Sequence, residues 1–239
     1  MQALVLAAGM GRRLQPLTDR IPKALVEVGG VSQLERTLSA LESAGATRIV
    51  VNTHHHARQI ESALSDRESV AEVLLSHEEA KPLETGGGLV HARDLFTDDL
   101  PILIHNVDII TSVDLRALAA RHDSSHSLAT LAVQERPTSR YLLFDEAGLQ
   151  GRLDVRDGSR VDTRPILGTV RRLAFSGIHV VSSAVFALVE ESGPFSVIDL
   201  YLRLAGEGWL IQPFDVTAAD WLEIGTPERL HAARVALDD

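Results

Sequence analysis

The stretch that decides the fold is Leu6-Ala-Ala-Gly9-Met-Gly11-Arg-Arg13-Leu-Gln-Pro16, which overlaps the end of the apolar segment Ala3 to Ala7. The apolar segment predicts a buried strand, so the glycines come at its carboxyl end. Ligands of open α/β folds bind at that end of the sheet. Gly9 and Gly11 allow the main chain to approach an anion closely and to adopt a positive φ. The pattern therefore predicts a phosphate cradle of backbone amides, with a plain structural turn as the alternative.

Beyond this turn, short apolar runs alternate with helical periodicity up to about residue 135. Such a rhythm is typical of βα units around a mainly parallel sheet. Further strands are predicted at Arg48 to Asn52, Val70 to Leu75, Ile102 to His105 and Leu128 to Val133. Helices are predicted after a Ser32–Glu35 capping box, with Leu34, Leu38 and Leu41 on one face, and at Ala57 to Leu64 and Thr85 to Phe96. We therefore expect an α/β fold with a mainly parallel, Rossmann-like sheet flanked by helices.

From Arg136 to Arg172 the sequence changes to short polar segments rich in glycine and arginine, which predicts a small inserted antiparallel lobe. The earlier rhythm then returns. We predict a strand at Ala174 to Val181, helices near Ala184 to Glu190 and Val197 to Ala205, a strand at Trp209 to Val216 and a last helix from Thr226. No linker separates two independent units, so a single domain over residues 1–239 is expected.

The composition of the chain excludes several classes of function. The chain has 239 residues, 45% of them hydrophobic, and a formal net charge of −10. A negative chain repels nucleic acid and anionic lipid surfaces, so neither is an expected partner. Without cysteine, disulfides, thiolate metal sites and a cysteine nucleophile are excluded. The sequence shows neither a leader pattern nor an apolar run of membrane-spanning length, and a cytoplasmic protein is expected.

Two cations flank the glycine-rich turn. The chain continues as Pro16-Leu-Thr18-Asp-Arg-Ile-Pro22-Lys23-Ala-Leu25, which places Arg13 and Lys23 on either side of one loop. Two anions at about 4 Å repel by about 4 kcal/mol at an effective dielectric near 20, so a reaction between phosphates needs such cations. Surface solvation is the alternative interpretation of either side chain.

The whole pattern, LAAGxGxRxxPxTxxxPKxL from Leu6 to Leu25, resembles the sugar-phosphate nucleotidyltransferase family. That family includes mannose 1-phosphate guanylyltransferases and glucose 1-phosphate thymidylyltransferases. The resemblance implies that an NTP and a sugar 1-phosphate are condensed to an NDP-sugar and pyrophosphate with Mg²⁺ as cofactor. It also implies that Arg13 contacts the β- and γ-phosphates and that Lys23 neutralises phosphate at the reacting centre. The nucleotide is then expected on Leu6, Ala7, Ala8, Gly9, Gly11 and Arg13.

A second glycine-rich segment, Glu84-Thr85-Gly86-Gly87-Gly88, opens a predicted helix. Small residues and free amides at a helix start can meet a base or a ribose, whereas the alternative is a tight connection between strand and helix. Under the resemblance this segment reads the base, through Glu84, Thr85, Gly86 and Gly87. Its form PLETGGG is most similar to N-acetylmuramate 1-phosphate uridylyltransferases, which favours UTP, with GTP next.

Asp108 is the first candidate metal ligand, because it follows the apolar strand Ile102 to His105. Mg²⁺ usually takes one or two carboxylates plus substrate phosphates. Members of the family have their second carboxylate in a WxDxGT segment, which here reads Trp221-Leu-Glu223-Ile-Gly225-Thr. Glu223 thus replaces an aspartate, and its extra methylene leaves direct and water-mediated coordination both open. A solvent-facing acid at the start of a helix is the alternative interpretation.

The resemblance places the sugar near the middle segment, and the candidate residues are Glu135, Arg140, Ser176, Gly177 and Asp199. It divides the domain into a nucleotide-binding half at 1–135, a sugar-binding part with the second carboxylate at about 136–225, and a C-terminal helix at 226–239. The consecutive His54, His55 and His56 point in different directions, which favours a loop over a metal site.

Two rival functions remain at this point. A non-catalytic sensor of sugar nucleotides is suggested by Glu223 and by Val107, which stands where the family commonly has glycine. A Rossmann dehydrogenase is disfavoured, because Leu14 occupies the third glycine position and no acidic residue follows the second strand. A monomer or a small homo-oligomer is expected.

Overall fold

The computed structural model describes residues 1–97 and 100–237. Fourteen strands are found in these ranges: β1 (Gln2–Leu6), β2 (Glu27–Val28), β3 (Val31–Ser32), β4 (Arg48–Thr53), β5 (Glu72–His77), β6 (Ile102–Asn106), β7 (Ile109–Thr111), β8 (Ala129–Gln134), β9 (Arg140–Asp145), β10 (Gly148–Asp154), β11 (Arg160–Asp162), β12 (Arg171–Val181), β13 (Ile211–Asp215) and β14 (Trp221–Glu223). The helices of the same ranges are α1 (Gln33–Ser43), α2 (Ala57–Ser65), α3 (Glu84–His91), α4 (Leu115–Ser125), α5 (Val197–Gly206) and α6 (Pro227–Leu237).

The parallel half of the main sheet has the strand order β6-β1-β4-β5. Its register aligns the last residue of β1 with its neighbours on both sides, since Leu6 is paired with Asn52 of β4 and with Asn106 of β6. The carboxyl ends of the three strands therefore meet at one edge of the sheet. This arrangement confirms the predicted α/β class with its mainly parallel sheet.

Helix α1 shows why the flanking helices form. Ser32 caps it by accepting a hydrogen bond from the Glu35 amide at 3.2 Å, as the capping-box pattern predicted. Leu34, Leu38 and Leu41 are fully buried against the sheet. The Glu35 carboxylate does not complete the box, because it accepts a hydrogen bond from Arg67 at 2.7 Å. The helices cover both faces of the sheet, and each face has its own apolar cluster.

The antiparallel half is built around β12, an eleven-residue strand that pairs with different strands along its two ends. One end pairs with β6 and β8, while Arg171 to Leu173 pair with β9 of the β9-β10-β11 meander. The register shifts between Phe175 and His179, where Gly177 has a φ of 78°. The antiparallel segment predicted for Arg136 to Arg172 is present, but its strands continue the main sheet and do not form a separate layer.

A two-stranded sheet of β7 and β14 joins distant parts of the chain. Glu223 is paired with Ile109, the residue after Asp108, and the Ile224 amide donates to the Asp108 carbonyl at 3.1 Å. Sequence patterns did not predict this pairing, because each strand has three residues and no alternation of its own. It places the two candidate metal carboxylates in neighbouring register.

Several predicted boundaries need correction. The helix expected near Ala184 to Glu190 is only a 3-10 turn at Ser183–Ala187, and α3 ends at His91 before a separate 3-10 turn at Arg93–Leu95. The last two positions of the predicted C-terminal helix lie outside the described residues. No helix within residues 1–97 and 100–237 combines the length and the apolar character needed to cross a membrane.

Candidate active site

A cavity of about 410 Å³ opens at the carboxyl edge of the parallel strands. Its walls come from the ends of β1, β4 and β6, from the glycine-rich turn and from the start of α3. Most nucleotide-site residues predicted from the sequence line it, together with Lys23 and Asp108: Leu6, Ala7, Ala8, Gly9, Gly11, Arg13, Glu84 and Thr85. Asn52, Asn106 and Arg12 also line the cavity and were not predicted. The asparagines follow from register alone, since each is paired with Leu6.

The glycine-rich turn presents unused donors to this cavity. The backbone amides of residues 9 to 13 have no acceptor within the part of the chain that the structure describes. Gly11 has a φ of 62°, and its carbonyl accepts a hydrogen bond from the Thr18 hydroxyl at 2.8 Å. A methyl group at Gly11 would lie 2.7 Å from Thr18 Cγ2, so the turn requires glycine there. Consecutive free amides of this kind form a concave anion site.

Cations are placed on both sides of the turn. Lys23 is 11% exposed and forms an ion pair with Asp108. Arg13 is 65% exposed, and its guanidinium lies 3.2 Å from Glu223 Oε1. The structure thus brings the predicted catalytic pair, Arg13 and Lys23, to the same cavity and gives each a carboxylate partner.

The start of α3 contributes only its first two residues to the wall. Glu84 is exposed to the cavity with a φ of 60°, which is uncommon for a residue other than glycine. The amides of Gly86 and Gly87 donate to the Phe195 carbonyl at 2.9 and 3.4 Å. The structure therefore does not place these two glycines in the nucleotide cavity, because they pack against the turn before α5.

Glu223 faces a second cavity, of about 590 Å³, that shares Arg13, Asn106 and Asp108 with the first. Arg13 and Arg229 both form ion pairs with its carboxylate. Space at this point is tight, since a Cβ added at Gly225 would lie 2.1 Å from Glu223 Oε1. The two cavities therefore meet at Asp108, and Glu223 lies beside this point on the side of the second cavity; we call this region the shared wall.

Arginine dominates the second cavity. Its lining includes Arg13, Arg136, Arg140, Arg152, Arg156 and Arg229, against only two carboxylates, Asp108 and Glu223. Arg136 is held by its neighbours: its guanidinium lies 3.7 Å from the centre of the Trp221 ring and donates to the Phe175 carbonyl at 3.0 Å. Burial lowers the pKa of Arg136, and the charge of Arg229 adds to this effect. The sequence signal for this wall was the density of arginines after residue 135.

Of the residues predicted to bind the sugar, some line the second cavity and others do not. Arg140 and Gly177 line the second cavity. Ser176 is fully buried, and Asp199 does not line the cavity but pairs with Arg152 at 2.7 Å. Glu135 is exposed away from the cavity and pairs with Arg171 at 3.0 Å. Ser176, Asp199 and Glu135 therefore do not line the second cavity, and the two carboxylates are paired with Arg152 and Arg171.

The donor set at the shared wall suits Mg²⁺. Within the described ranges no group of three histidine or acidic side chains is arranged to hold a metal. Two carboxylates in neighbouring register, open to a cavity that can supply substrate oxygens, match the usual ligand set of this ion. Asp108 and Glu223 would hold it, each exchanging a present cation partner for the metal.

The three consecutive histidines make separate contacts, although the ring centres of His55 and His56 lie 3.8 Å apart. His54 bonds to the Glu78 carbonyl at 2.7 Å, and His55 bonds to the Thr18 carbonyl at 3.1 Å. His56 has a φ of 55° and precedes α2. His55 thereby supports the loop that carries Gly11, which is a structural role.

A family model for nucleotidyl transferases matches residues 2–239 of the chain. Among curated proteins, the chain is 31% identical to the N-acetylmuramate alpha-1-phosphate uridylyltransferase of Caulobacter vibrioides, over 98% of this chain and 96% of that protein. It is 33% identical to the protein of the same name from Neisseria meningitidis serogroup B, over 98% and 97%. A mannose-1-phosphate guanyltransferase of Neurospora crassa is 28% identical, over 95% of this chain but 62% of that longer protein.

Solved structures show the same fold. The UTP-bound UDP-glucose pyrophosphorylase of Acinetobacter baumannii superposes with a TM-score of 0.79 at 17% identity, over 98% of this chain and 92% of that one. The inositol-1-phosphate CTP transferase of T. maritima superposes with a TM-score of 0.74 at 16% identity, over 100% and 96%. At such identities the likeness concerns the fold alone.

Proposed function

The chain belongs to the nucleotidyl transferase family, and we propose that it condenses UTP with a sugar 1-phosphate to give a UDP-sugar and pyrophosphate in a Mg²⁺-dependent reaction. The family resemblance inferred from Leu6 to Leu25 is confirmed, and so is the enzyme class, a sugar 1-phosphate nucleotidyltransferase. The nucleotide, the metal and the residue roles below are our proposal.

One observation carries the proposal. Residues 9 to 13, whose backbone amides have no acceptor among the described residues, line one cavity together with Lys23 and Asp108. On a chain of net charge −10, this is a local concentration of donors for a polyanion. A triphosphate on the glycine-rich turn would have its α-phosphorus directed towards the shared wall.

The acceptor enters from the arginine-lined cavity. A phosphate oxygen of the sugar 1-phosphate attacks the α-phosphorus in line, and the bond from this phosphorus to the oxygen bridging to the β-phosphate breaks. Pyrophosphate leaves with that electron pair. The nucleophile is already anionic, so no general base is needed, and the described residues of the two walls offer arginine, lysine and carboxylate side chains in place of a base dyad.

Catalysis then rests on position and charge. Lys23 and Arg13 neutralise phosphate oxygens, the turn amides fix the β- and γ-phosphates, and Asp108 and Glu223 hold the metal. Bound there, Mg²⁺ supplies charge neutralisation between the two phosphates that must approach each other. The cations already paired with the two carboxylates keep this wall organised before substrates bind.

UTP is proposed over GTP because both N-acetylmuramate 1-phosphate uridylyltransferases align along almost their full length, whereas the chain spans 62% of the mannose 1-phosphate guanyltransferase. Pro82, Glu84 and Thr85 line the part of the cavity where the base is proposed to lie.

The test is a matrix of UTP, GTP, dTTP, CTP and ATP against several sugar 1-phosphates, followed by pyrophosphate release with and without Mg²⁺. The proposal expects the fastest turnover with UTP and none without a divalent ion. Binding of UDP-sugar without turnover of any pair would instead indicate a non-catalytic sensor. Fastest turnover with GTP would overturn the choice of base while leaving the reaction class.

A further inference from the structure

A third cavity, of about 680 Å³, shares no lining residue with the two cavities of the candidate active site. One side is formed by the loop of residues 14–21 and the other by α6, and we call it the loop–helix groove. Sites for small molecules usually have volumes of about 300 to 1,000 Å³, so the groove is large enough for such a ligand.

The groove has apolar walls. Leu14, Leu17 and Ile21 line it from the loop, and Leu230 lines it from α6. All four belong to one apolar cluster, in which Leu14 and Leu230 are buried while Leu17 and Ile21 stay partly exposed. A ligand with an apolar body would remove this remaining surface from water, which is favourable.

The ionisable side chains that line the groove are all basic. Arg20 comes from the loop, and His231 and Arg234 lie three residues apart on α6, a spacing that places them on one face of the helix. None of the three pairs with a carboxylate within residues 1–97 and 100–237, and Arg234 uses only its Nε, for the Glu27 carbonyl at 3.2 Å. On a chain of net charge −10, this groove is complementary to an anion.

Both sides of the groove continue into the candidate active site. The loop lies between Arg13 and Lys23 in the sequence, and α6 carries Arg229, which pairs with Glu223. The apolar cluster of the groove also contains Ile224, the residue after Glu223. A ligand that contacts both the loop and α6 would therefore restrict the elements that carry the proposed catalytic cations.

We propose that the loop–helix groove is an effector site for a small organic phosphate, a phosphate monoester with an apolar body, and that its occupation tightens NTP binding. The phosphate dianion would lie among Arg20, His231 and Arg234, whose guanidinium groups match phosphate in shape. The apolar body would contact Leu17 and Ile21. Ordering the loop in advance lowers the cost of NTP binding. The site itself does not depend on the proposed function, whereas the tightening assumes a nucleotide on the glycine-rich turn.

The test is calorimetry of the whole chain with 1-naphthyl phosphate and octyl phosphate, which compare an aromatic with an aliphatic body. Inorganic phosphate and 1-naphthol are the controls that lack one half of the ligand. We expect at least one of the two organic phosphates to bind about tenfold more tightly than either control, because only it uses both the cations and the apolar walls. Equal affinity for all four compounds would overturn the proposal.

A second titration measures the coupling to the nucleotide. In the presence of saturating UTP without metal, the organic phosphate should bind about fivefold more tightly, the lower end of allosteric couplings. By linkage, the organic phosphate should tighten UTP by the same factor. Displacement of the organic phosphate by UTP, or binding without any change in UTP affinity, would overturn the effector role.

Substitution shows whether the groove is responsible. Arg20→Gln and Arg234→Gln should each weaken the organic phosphate about tenfold while leaving UTP affinity unchanged in its absence, since neither residue lines the active-site cavities. Arg172→Gln, at an exposed position of β12 outside the groove, is the matched control and should retain wild-type affinity. Thermal unfolding checks that the variants fold.

The outcomes separate this inference from the proposed function. Wild-type affinity for the organic phosphate in both groove variants, with normal turnover of UTP and a sugar 1-phosphate, would overturn the groove and leave the proposed function intact. Binding that is lost in both variants, on a chain that turns over no pair of NTP and sugar 1-phosphate, would support the site and contradict the proposed function.

Discussion

The two cavities that meet at Asp108 are built in different ways. The nucleotide side is made mainly of backbone amides from one continuous turn, residues 9 to 13, at the end of β1. The acceptor side is made of side chains from segments far apart in sequence, including β9, β10, β14 and α6. A backbone site recognises the triphosphate common to all nucleotides, whereas a side-chain site can change its acceptor by substitution. Under the proposed function, the common chemistry and the selectivity are therefore encoded in different halves of the molecule.

The largest effect is expected at the wall between the halves. Asp108→Asn keeps the shape of the side chain but removes the charge that would hold the metal and that pairs with Lys23. Pyrophosphate release should fall about a thousandfold, with thermal unfolding little changed. Asp94→Asn, at an exposed position outside both cavities, is the control. Unchanged turnover of the Asp108 variant would overturn the metal assignment.

Lys23→Gln removes the buried cation of the nucleotide side. Turnover should fall about a hundredfold, mainly in kcat, because Lys23 is proposed to neutralise the reacting phosphates more than it contributes to initial binding. Lys81 is the only other lysine of the sequence and is exposed, so Lys81→Gln is a matched control. Steady-state kinetics of both variants measure the difference. A change confined to KM would assign Lys23 to substrate binding alone.

Glu223→Gln probes the acceptor side of the same wall. Loss of the carboxylate releases Arg13 and Arg229, and it removes one proposed metal ligand. We expect kcat to fall about tenfold and the Mg²⁺ concentration for half-maximal rate to rise, a smaller loss than at Asp108 because the longer side chain is already shared by two cations. A Mg²⁺ titration of the rate measures this. A wild-type Mg²⁺ dependence would show that Glu223 is no ligand, direct or through water.

Substitutions at two glycines distinguish an effect on nucleotide binding from an effect on the stability of the fold. A methyl group at Gly9 meets no atom within 4 Å, whereas one at Gly86 would lie 2.2 Å from the Phe195 ring. Gly9→Ala should therefore raise KM for the NTP about tenfold without loss of stability, because the methyl group intrudes only on the bound phosphates. Gly86→Ala should lower the free energy of unfolding by about 1 to 3 kcal/mol. Reversal of these effects would show that α3, and not the turn, holds the nucleotide.

The smallest effect concerns the pH dependence of the free energy of unfolding, through two buried histidines of the main sheet. Burial lowers the pKa of His179 to about 3 and that of His105 to about 4. Each is neutral when folded and gains a proton more readily when unfolded, near pH 6.5. Their contribution to the free energy of unfolding is complete above that pH. It is lost as the pH falls from about 6.5 towards 4, at up to about 1.4 kcal/mol per pH unit for each histidine.

The check is chemical denaturation between pH 7 and pH 5. His179→Leu should flatten the decline in the free energy of unfolding, because the buried ring between Phe175 and Tyr201 no longer titrates. His231→Asn, at an exposed position, should retain the wild-type slope. An unaltered slope in the His179 variant would mean that other groups set the acid limit.

The contrast between a contiguous turn and a cavity built from distant segments explains which parts of the site the sequence could predict. Residues 6 to 13 are contiguous and come at the end of a strand, so local rules were sufficient to place the glycine-rich turn at the edge of the sheet, and the position of Asp108 follows from its place after β6. Glu223 could be named only through the family pattern, because its position depends on the non-local pairing of β7 with β14. Arg152 and Arg156 were missed, since an arginine in a polar segment has no local feature that distinguishes a cavity wall from a solvated surface.

Gly86 and Gly87, which were predicted to contact the base, show a second limit of local patterns. Glycines at a predicted helix start resemble a ligand site, but the contact that occupies their amides comes from Phe195, more than a hundred residues away. The same holds for Glu135, whose partner Arg171 belongs to another strand. Sequence patterns predict donors and charges, whereas tertiary partners decide which of them stay available.

The most direct test of the account is a crystal structure of the chain with a UDP-sugar and Mg²⁺. The account predicts the uridine in the cavity of Gly9, Glu84 and Thr85, the sugar among the arginines of the second cavity, and the diphosphate across the wall of Asp108 and Glu223. A sugar nucleotide bound with its sugar against the glycine-rich turn, or with its phosphates away from Asp108, would contradict it.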